Sequence, residues 1–239
     1  MARVLVPLPD HDFDVTEVAV PWKLLREAGH EVVFATEEAG TVPACDPLLL
    51  TGVLFGQLGA APEPQAFYRE MLEDPAFSRT VAWRELDVAT FDSMVLPGGH
   101  APGMRQYLGS EVLQAKVKAF ADTGKPWAAI CHGVLVAARA GALGGRRTTC
   151  LPKYMERSAY FLTFWKLGTY YRTYPAYVED EVTASLARPE DFVRGPRTLS
   201  ARGTRDDDGP AFVVEDGAYV SARWPGDAYL FARKLLERL

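Results

Sequence analysis

The chain has 239 residues, 48% of them hydrophobic and 24% charged, with a formal net charge of −5. Such a length and composition suit one large α/β domain with a full core, and the acidic balance excludes a general nucleic-acid surface, which needs clustered Lys and Arg. No apolar run approaches the ~18 residues of a membrane-spanning helix, so no membrane partner is expected.

Met1-Ala2-Arg3 runs straight into the apolar segment Val4-Leu5-Val6-Pro7-Leu8, which reads as a first strand with no preceding secretory leader. A polar loop, Pro9 to Asp12, leads to a helix over Val15 to Ala28 that Gly29 stops, and Glu31 to Ala35 is the next strand. Strand, helix and strand make a compact βαβ opening. Residues 40–92 break this rhythm: seven Pro and Gly residues between Pro43 and Pro64 cut it into loop, with one helix over Gln65 to Leu72. We read 40–92 as an inserted cap or lid within a single domain spanning 1–239.

Regular alternation returns with a strand at Ser93 to Leu96, the loop Pro97-Gly98-Gly99-His100, and a helix from Ser110 to Asp122. Trp127 to Ile130 is short and apolar, as a central parallel strand should be. A helix over His132 to Ala140, a strand at Arg147 to Cys150 and an aromatic-rich helix over Pro152 to Lys166 follow. The stripe Tyr154, Tyr160, Phe161, Phe164 and Trp165 is read as core or dimer packing before a pocket wall. Asp216-Gly217 between two apolar runs predicts a hairpin, and Pro225 opens the last helix. The alternation predicts an α/β fold with a mostly parallel sheet covered on both faces.

The chemistry concentrates at Ala129-Ile130-Cys131-His132-Gly133. A short apolar strand, a cysteine, a histidine, a glycine and then an apolar helix form the layout of a nucleophile elbow, in which a sharp turn lifts the side chain above the sheet. The helix start after Cys131 should favour thiolate and lower the thiol pKa. The plain alternative is an inert buried cysteine at a strand end. Gly98 and Gly99 follow another parallel strand, so their loop should face the same site at the carboxyl edge of the sheet. Paired glycines free an N–H to meet a developing oxyanion, with the His132 amide as a second donor. Glu17, taken alone, is a first-turn carboxylate favoured by the helix dipole.

Four segments in register, "FDVTEVAVPWKLLREAGHEVVFAT", "MVLPGGHAPG", "WAAICHG" and "YVSARWPGD", identify the chain as resembling the ThiJ/PfpI superfamily, nearest its PfpI and heat-shock glyoxalase III branches. The resemblance implies a class I glutamine-amidotransferase-like, flavodoxin-like three-layer sandwich, and a homodimer. It implies Cys131 as nucleophile, Glu17 as the buried acid beside it, His132 as the triad histidine, and Gly99 and His132 as donors of the oxyanion-hole amides, with Gly98, His100 and Gly133 around them. A desolvated Glu17 should hold its proton to unusually high pH and could shuttle it to substrate. The relatives orient their histidine with an Asp after the strand following the elbow helix. Here that stretch is Thr149-Cys150-Leu151-Pro152-Lys153-Tyr154-Met155-Glu156, with no Asp, so the orienting acid is Glu156 or one from elsewhere, such as another subunit.

Cys45 and Cys150 are read as buried or incidental, His30 as a turn residue, and His11 as a residue of the site mouth. Four scattered histidines show no metal-ligand spacing and no phosphate-cradling loop is present, so neither metal nor cofactor is expected. Three separated cysteines suit reduced thiols in a cytoplasmic protein. The expected activity is cofactor-free conversion of a small 2-oxoaldehyde to a 2-hydroxy acid, glyoxalase III- or deglycase-like, on a small-molecule carbonyl substrate. A hydrolase or hydratase of small-molecule metabolism is the first alternative. A non-catalytic stress chaperone or redox sensor is the second.

Overall fold

The computed structural model describes residues 1–172, 174–198 and 200–239. β1 (Arg3–Pro7), β2 (His11–Phe13), α1 (Val15–Glu27) and β3 (Glu31–Thr36) open the chain. β4 (Ala44–Cys45), α2 (Pro47–Thr51), α3 (Pro62–Leu72), α4 (Pro75–Ser78) and β5 (Val81–Ala82) follow. Then come β6 (Ser93–Leu96), α5 (Met104–Gly109), α6 (Glu111–Ala121), β7 (Trp127–Ile130) and α7 (Gly133–Arg139). α8 (Lys153–Leu167), α9 (Val178–Ser185), the hairpin β8 (Val213–Asp216) and β9 (Tyr219–Ala222), and α10 (Ala228–Leu236) complete it.

One seven-stranded sheet runs β5-β3-β1-β6-β7-β9-β8, parallel throughout except for the antiparallel edge strand β8. Its five central strands follow the flavodoxin-like order, in which the carboxyl ends of the strands form the ligand crevice. β6 and β7 are buried at every residue, so both faces must be covered by helices, and that requirement explains their continuous apolar sequences. Asp14 caps α1 by accepting the Thr16 and Glu17 N–H groups, which fixes the helix that carries Glu17 against the sheet.

Two expectations change. Arg147 to Cys150 is not a strand: Thr148 makes only an isolated bridge to Phe192. β9 already occupies the place beside β7, so this segment passes outside the sheet, pinned where the Thr149 N–H donates to Ser221 Oγ at 3.0 Å. The 40–92 segment is also not structurally uniform. β4 pairs with β2 in a separate ribbon, α3 packs on α1, and β5 extends the main sheet. Only its portion around α2 and the loop to Ala60 overhangs the site.

Candidate active site

Cys131 follows the last residue of β7 and precedes α7. Its backbone is left-handed, with φ at 56°, a region that costs a non-glycine residue about 1–3 kcal/mol. The Cys131 N–H donates to the Ala222 carbonyl at 3.0 Å, tying the elbow to β9. Neighbouring chain segments come so close that side chains are excluded. A Cβ on Gly133 would lie 2.1 Å from the Leu96 carbonyl oxygen, and one on Gly98 would lie 2.6 Å from the His132 nitrogen. Glycine at both positions is therefore a steric requirement of the elbow.

Glu17 is fully buried beneath this turn. Its Oε2 accepts the Gly98 N–H at 2.8 Å. Its Oε1 is buried without a hydrogen-bonding nitrogen or oxygen among the described residues. Burial first, and then the Asp14 carboxylate, hold the Glu17 carboxyl well above the usual range. Burial also pushes the Cys131 thiol up, with the Glu17 and Asp14 charges adding to it. This reverses the expectation of a lowered thiol pKa. The helix that follows has only seven residues, and its amides, represented by the favourable His132 N–H, are outweighed by desolvation. Glu17 and Cys131 are two acids in one dry site, and protons leave them as a coupled pair.

His132 Nδ1 lies 3.4 Å from the Cys131 sulfur. Burial, followed by His100 and Arg139, drives its pKa well down, so the imidazole is neutral. His100 packs edge-on against it with ring centroids 4.6 Å apart, and burial lowers the His100 pKa to about 4. Among the described residues the Gly99 and His132 N–H groups donate to no protein oxygen, the condition an oxyanion hole requires. The structure thus gathers Cys131, Glu17, His132, Gly98, Gly99, His100 and Gly133 in one place.

Glu156 is a correction. It does not meet His132: its Oε2 accepts the Val178 N–H at 2.9 Å and its Oε1 pairs with Arg172 at 3.4 Å. The reason is topological, because without a strand at 147–150 the chain delivers Glu156 to the start of α9 instead. Among the described residues no carboxylate is hydrogen-bonded to His132. Nor do three His, Cys, Asp or Glu side chains converge in metal-binding fashion.

Over the elbow lies a cavity of about 520 Å³. Its walls come from the α2 loop, one face of α8, Tyr171, Arg202 and Trp224, and its floor includes Asp14 and His100. Cys131 itself is only 2% exposed, and Asp14 and His100 join the cavity to the buried trio. The aromatic stripe of α8 is not core: only Glu156 and Thr163 of this helix are buried. Met155, Ala159, Phe161 and Leu162 line the cavity, the last two while also exposed, and Phe164 and Trp165 are exposed outside it.

Sequence reasoning missed Asp14, Asp46, Tyr171, Arg202 and Trp224. Asp14 carried a signal, an Asp three residues before Glu17 at a helix start. Asp46 accepts the Tyr171 hydroxyl at 2.9 Å and the Tyr170 hydroxyl at 3.1 Å, across more than a hundred residues, and no local pattern announces such a pair.

A family model described as ThiJ/PfpI family-like matches residues 8–196. A deglycase of Pyrococcus abyssi is 29% identical over 99% of both chains. The deglycase PfpI of Pyrococcus furiosus is 27% identical, over 97% of this chain and 96% of its own. The crystal structure of glyoxalase III from Candida albicans superposes with a TM-score of 0.69 at 19% identity, over 100% of this chain and 97% of that one, and so shares the fold.

Proposed function

The chain belongs to the ThiJ/PfpI family, and on that premise we propose that it is a cysteine-dependent enzyme acting on reactive carbonyls, converting a 2-oxoaldehyde to a 2-hydroxy acid. The observation that carries this reading is Cys131 on its left-handed turn, with the Glu17 carboxyl below it and the His132 imidazole 3.4 Å away. The relatives named as deglycases support an enzyme of this kind.

In the proposed sequence His132 accepts the thiol proton as sulfur adds to the aldehyde carbon, giving a hemithioacetal whose oxygen meets the Gly99 and His132 amides. The oxygen takes that proton back. Glu17 then carries the former aldehyde hydrogen, as a proton, from C1 to C2, while the C1 hydroxyl proton passes to the C2 oxygen. The product is a 2-hydroxy thioester on Cys131, and water, with His132 as base, releases the acid and restores the thiol. One carbon is oxidised as its neighbour is reduced, so no external redox partner enters. Glu17 takes the C1 hydrogen as the carboxylate, and its raised pKa makes that carboxylate a stronger base than an ordinary one.

The direct test is methylglyoxal consumption with detection of lactate. Turnover by the wild type that is lost in Cys131→Ala and Glu17→Gln supports the mechanism, and absence of turnover in the wild type rejects the substrate class. A hydrolase depending on an acid-oriented histidine is less well served, because His132 has no carboxylate partner among the described residues. A sensor is disfavoured by a buried thiol with a raised pKa. A holdase has one observation in its favour, the exposed Phe55, Leu58, Phe161, Phe164 and Trp165 around the cavity mouth. Suppression of client aggregation by Cys131→Ala as well as by wild type would favour it.

A further inference from the structure

The cavity above the elbow is much larger than the proposed chemistry demands. A three-carbon oxoaldehyde fills a small corner of about 520 Å³, a volume in the range of pockets for drug-sized ligands. Most of its lining is apolar, with Leu49, Val53, Met155 and Leu162 among the wall residues. Such a surface favours an extended hydrocarbon or aromatic group.

Set into this wall is one cation. The guanidinium of Arg202 stands 5.0 Å from the centroid of the Trp224 ring, and both residues line the cavity. Among the described residues it donates no hydrogen bond and makes no salt bridge. Desolvation lowers its pKa, with the Asp14 charge acting weakly in the other direction. Arg202 is half-buried in the cavity wall, and a guanidinium with only an aromatic face as protein neighbour has its N–H donors available to a ligand in the cavity. Asp14, the acidic group facing it, is already engaged: its Oδ1 accepts the Thr16 and Glu17 N–H groups at 2.8 and 3.1 Å. By contrast, the buried Arg223 of the same region is fully satisfied, with a two-point pair to Asp227 and a bond to the Pro196 carbonyl.

We propose that Arg202 is the anchor for a carboxylate or comparable anionic end of the substrate, and that the enzyme's substrates are 2-oxoaldehydes carrying an apolar body that ends in such a group. This rests on the carbonyl-enzyme reading for the reactive end and adds the remote end. The planar fork of arginine binds carboxylate through two parallel N–H donors, and Trp224 holds the guanidinium plane in place from behind. The reactive carbonyl then reaches toward His100 and the elbow, while the apolar body lies along α8. Binding energy from a remote part of the substrate of this kind positions the reacting carbon.

Two measurements test the proposal independently. Turnover of 4-carboxyphenylglyoxal should exceed that of phenylglyoxal in kcat/KM by at least about tenfold, the worth of a charge-assisted hydrogen bond. Arg202→Met should erase that advantage and Arg202→Lys should retain part of it, with circular dichroism confirming that each variant is folded. Separately, isothermal titration should show 4-phenylbutyrate binding to the wild type more tightly than 4-phenylbutan-1-ol, and equally weakly in Arg202→Met. Equal turnover of the two arylglyoxals, or an advantage that survives in Arg202→Met, would overturn the anchor while leaving the carbonyl enzyme intact. If no 2-oxoaldehyde reacts but phenylbutyrate binds in an Arg202-dependent manner, the carbonyl reading fails and the anion site stands. Phenylbutyrate binding no better than its alcohol removes the site.

Discussion

Beneath the cavity, Glu17, Cys131 and His132 are 0, 2 and 1% exposed, held by strand ends, a buried helix and glycines that admit no side chain. On its outer wall, α8 and the α2 loop leave Phe161 at 57%, Trp165 at 59% and Phe55 at 81% exposed. The floor is closely constrained, because backbone crowds Gly98 and Gly133 on either side of the elbow. The outer wall keeps several of its apolar side chains in contact with solvent. Reaction geometry must be held to fractions of an ångström, which close packing provides. Choice of substrate tolerates, and benefits from, a surface that can change without unfolding the protein.

The sharpest way to break this contrast is to delete groups from the floor. Cys131→Ala should reduce methylglyoxal turnover by about 10⁴-fold or more, as loss of a nucleophile does elsewhere. Residual turnover above that level would remove Cys131 from the chemistry. Because residue 131 is left-handed, Cys131→Gly should be more stable than Cys131→Ala by about 1 kcal/mol, the reverse of the usual order. Urea denaturation of the two variants measures it.

Gly133→Ala should lower stability by about 3 kcal/mol, since its Cβ would meet the Leu96 carbonyl and nothing nearby can yield. A loss below about 1 kcal/mol would show that the elbow is softer than its packing implies.

Glu17→Gln should lower turnover by about 10²–10⁴-fold and change how stability responds to pH. The folded-state pKa of Glu17 is raised above its ordinary 4.5. Its stabilising contribution is therefore complete below that value and is lost as pH rises toward the folded pKa. The variant, which never ionises, should gain stability relative to wild type as pH increases above about 4.5, and parallel pH–stability curves would refute the raised pKa.

Glu156→Gln should behave as a purely structural change. Burial raises the Glu156 pKa from 4.5 to about 7, so its contribution is complete below 4.5 and declines up to about 7, and glutamine should remove that decline. Turnover should stay within about twofold, since sites without shared contacts act independently. A larger loss would restore Glu156 to the catalytic group.

On the wall, Phe161→Ala should alter stability by no more than about 0.5 kcal/mol yet raise KM for phenylglyoxal about threefold, the scale of about 25 Å² of apolar surface no longer covered. A substantial stability loss there would erase the distinction between floor and wall.

Much of the floor is legible in the amino-acid sequence. β1, β3, β6, β7 and the β8–β9 hairpin announce themselves as short apolar runs bounded by turn residues, because a strand buried on both faces tolerates little else. Cys131, Gly98 and Gly99 are readable because strand-to-loop transitions at the carboxyl edge of a parallel sheet converge in space. The exceptions share a cause. Residues 147–150 have strand-like composition, yet β9 holds the only place beside β7, and that competition is invisible locally. The expectation that Glu156 reaches the site depends on the same missing strand. The expectation that the α8 aromatics serve core or dimer packing depends on aromatic residues being buried, as they usually are; within this chain Phe161, Phe164 and Trp165 are exposed, and Phe161 lines the cavity.

The amino-acid order alone therefore determined the central strands of the sheet, the elbow and the identity of the candidate nucleophile, all set by short-range patterns of burial and turn geometry. Only the tertiary structure decided the environment of those groups. Desolvation raises the Cys131 and Glu17 pKa values where a helix start would lower the thiol, and Arg202 faces the cavity beside Trp224 from a loop with no motif of its own. Both depend on which distant segments exclude water from a given atom, and that is a property of packing between elements rather than of any stretch of chain.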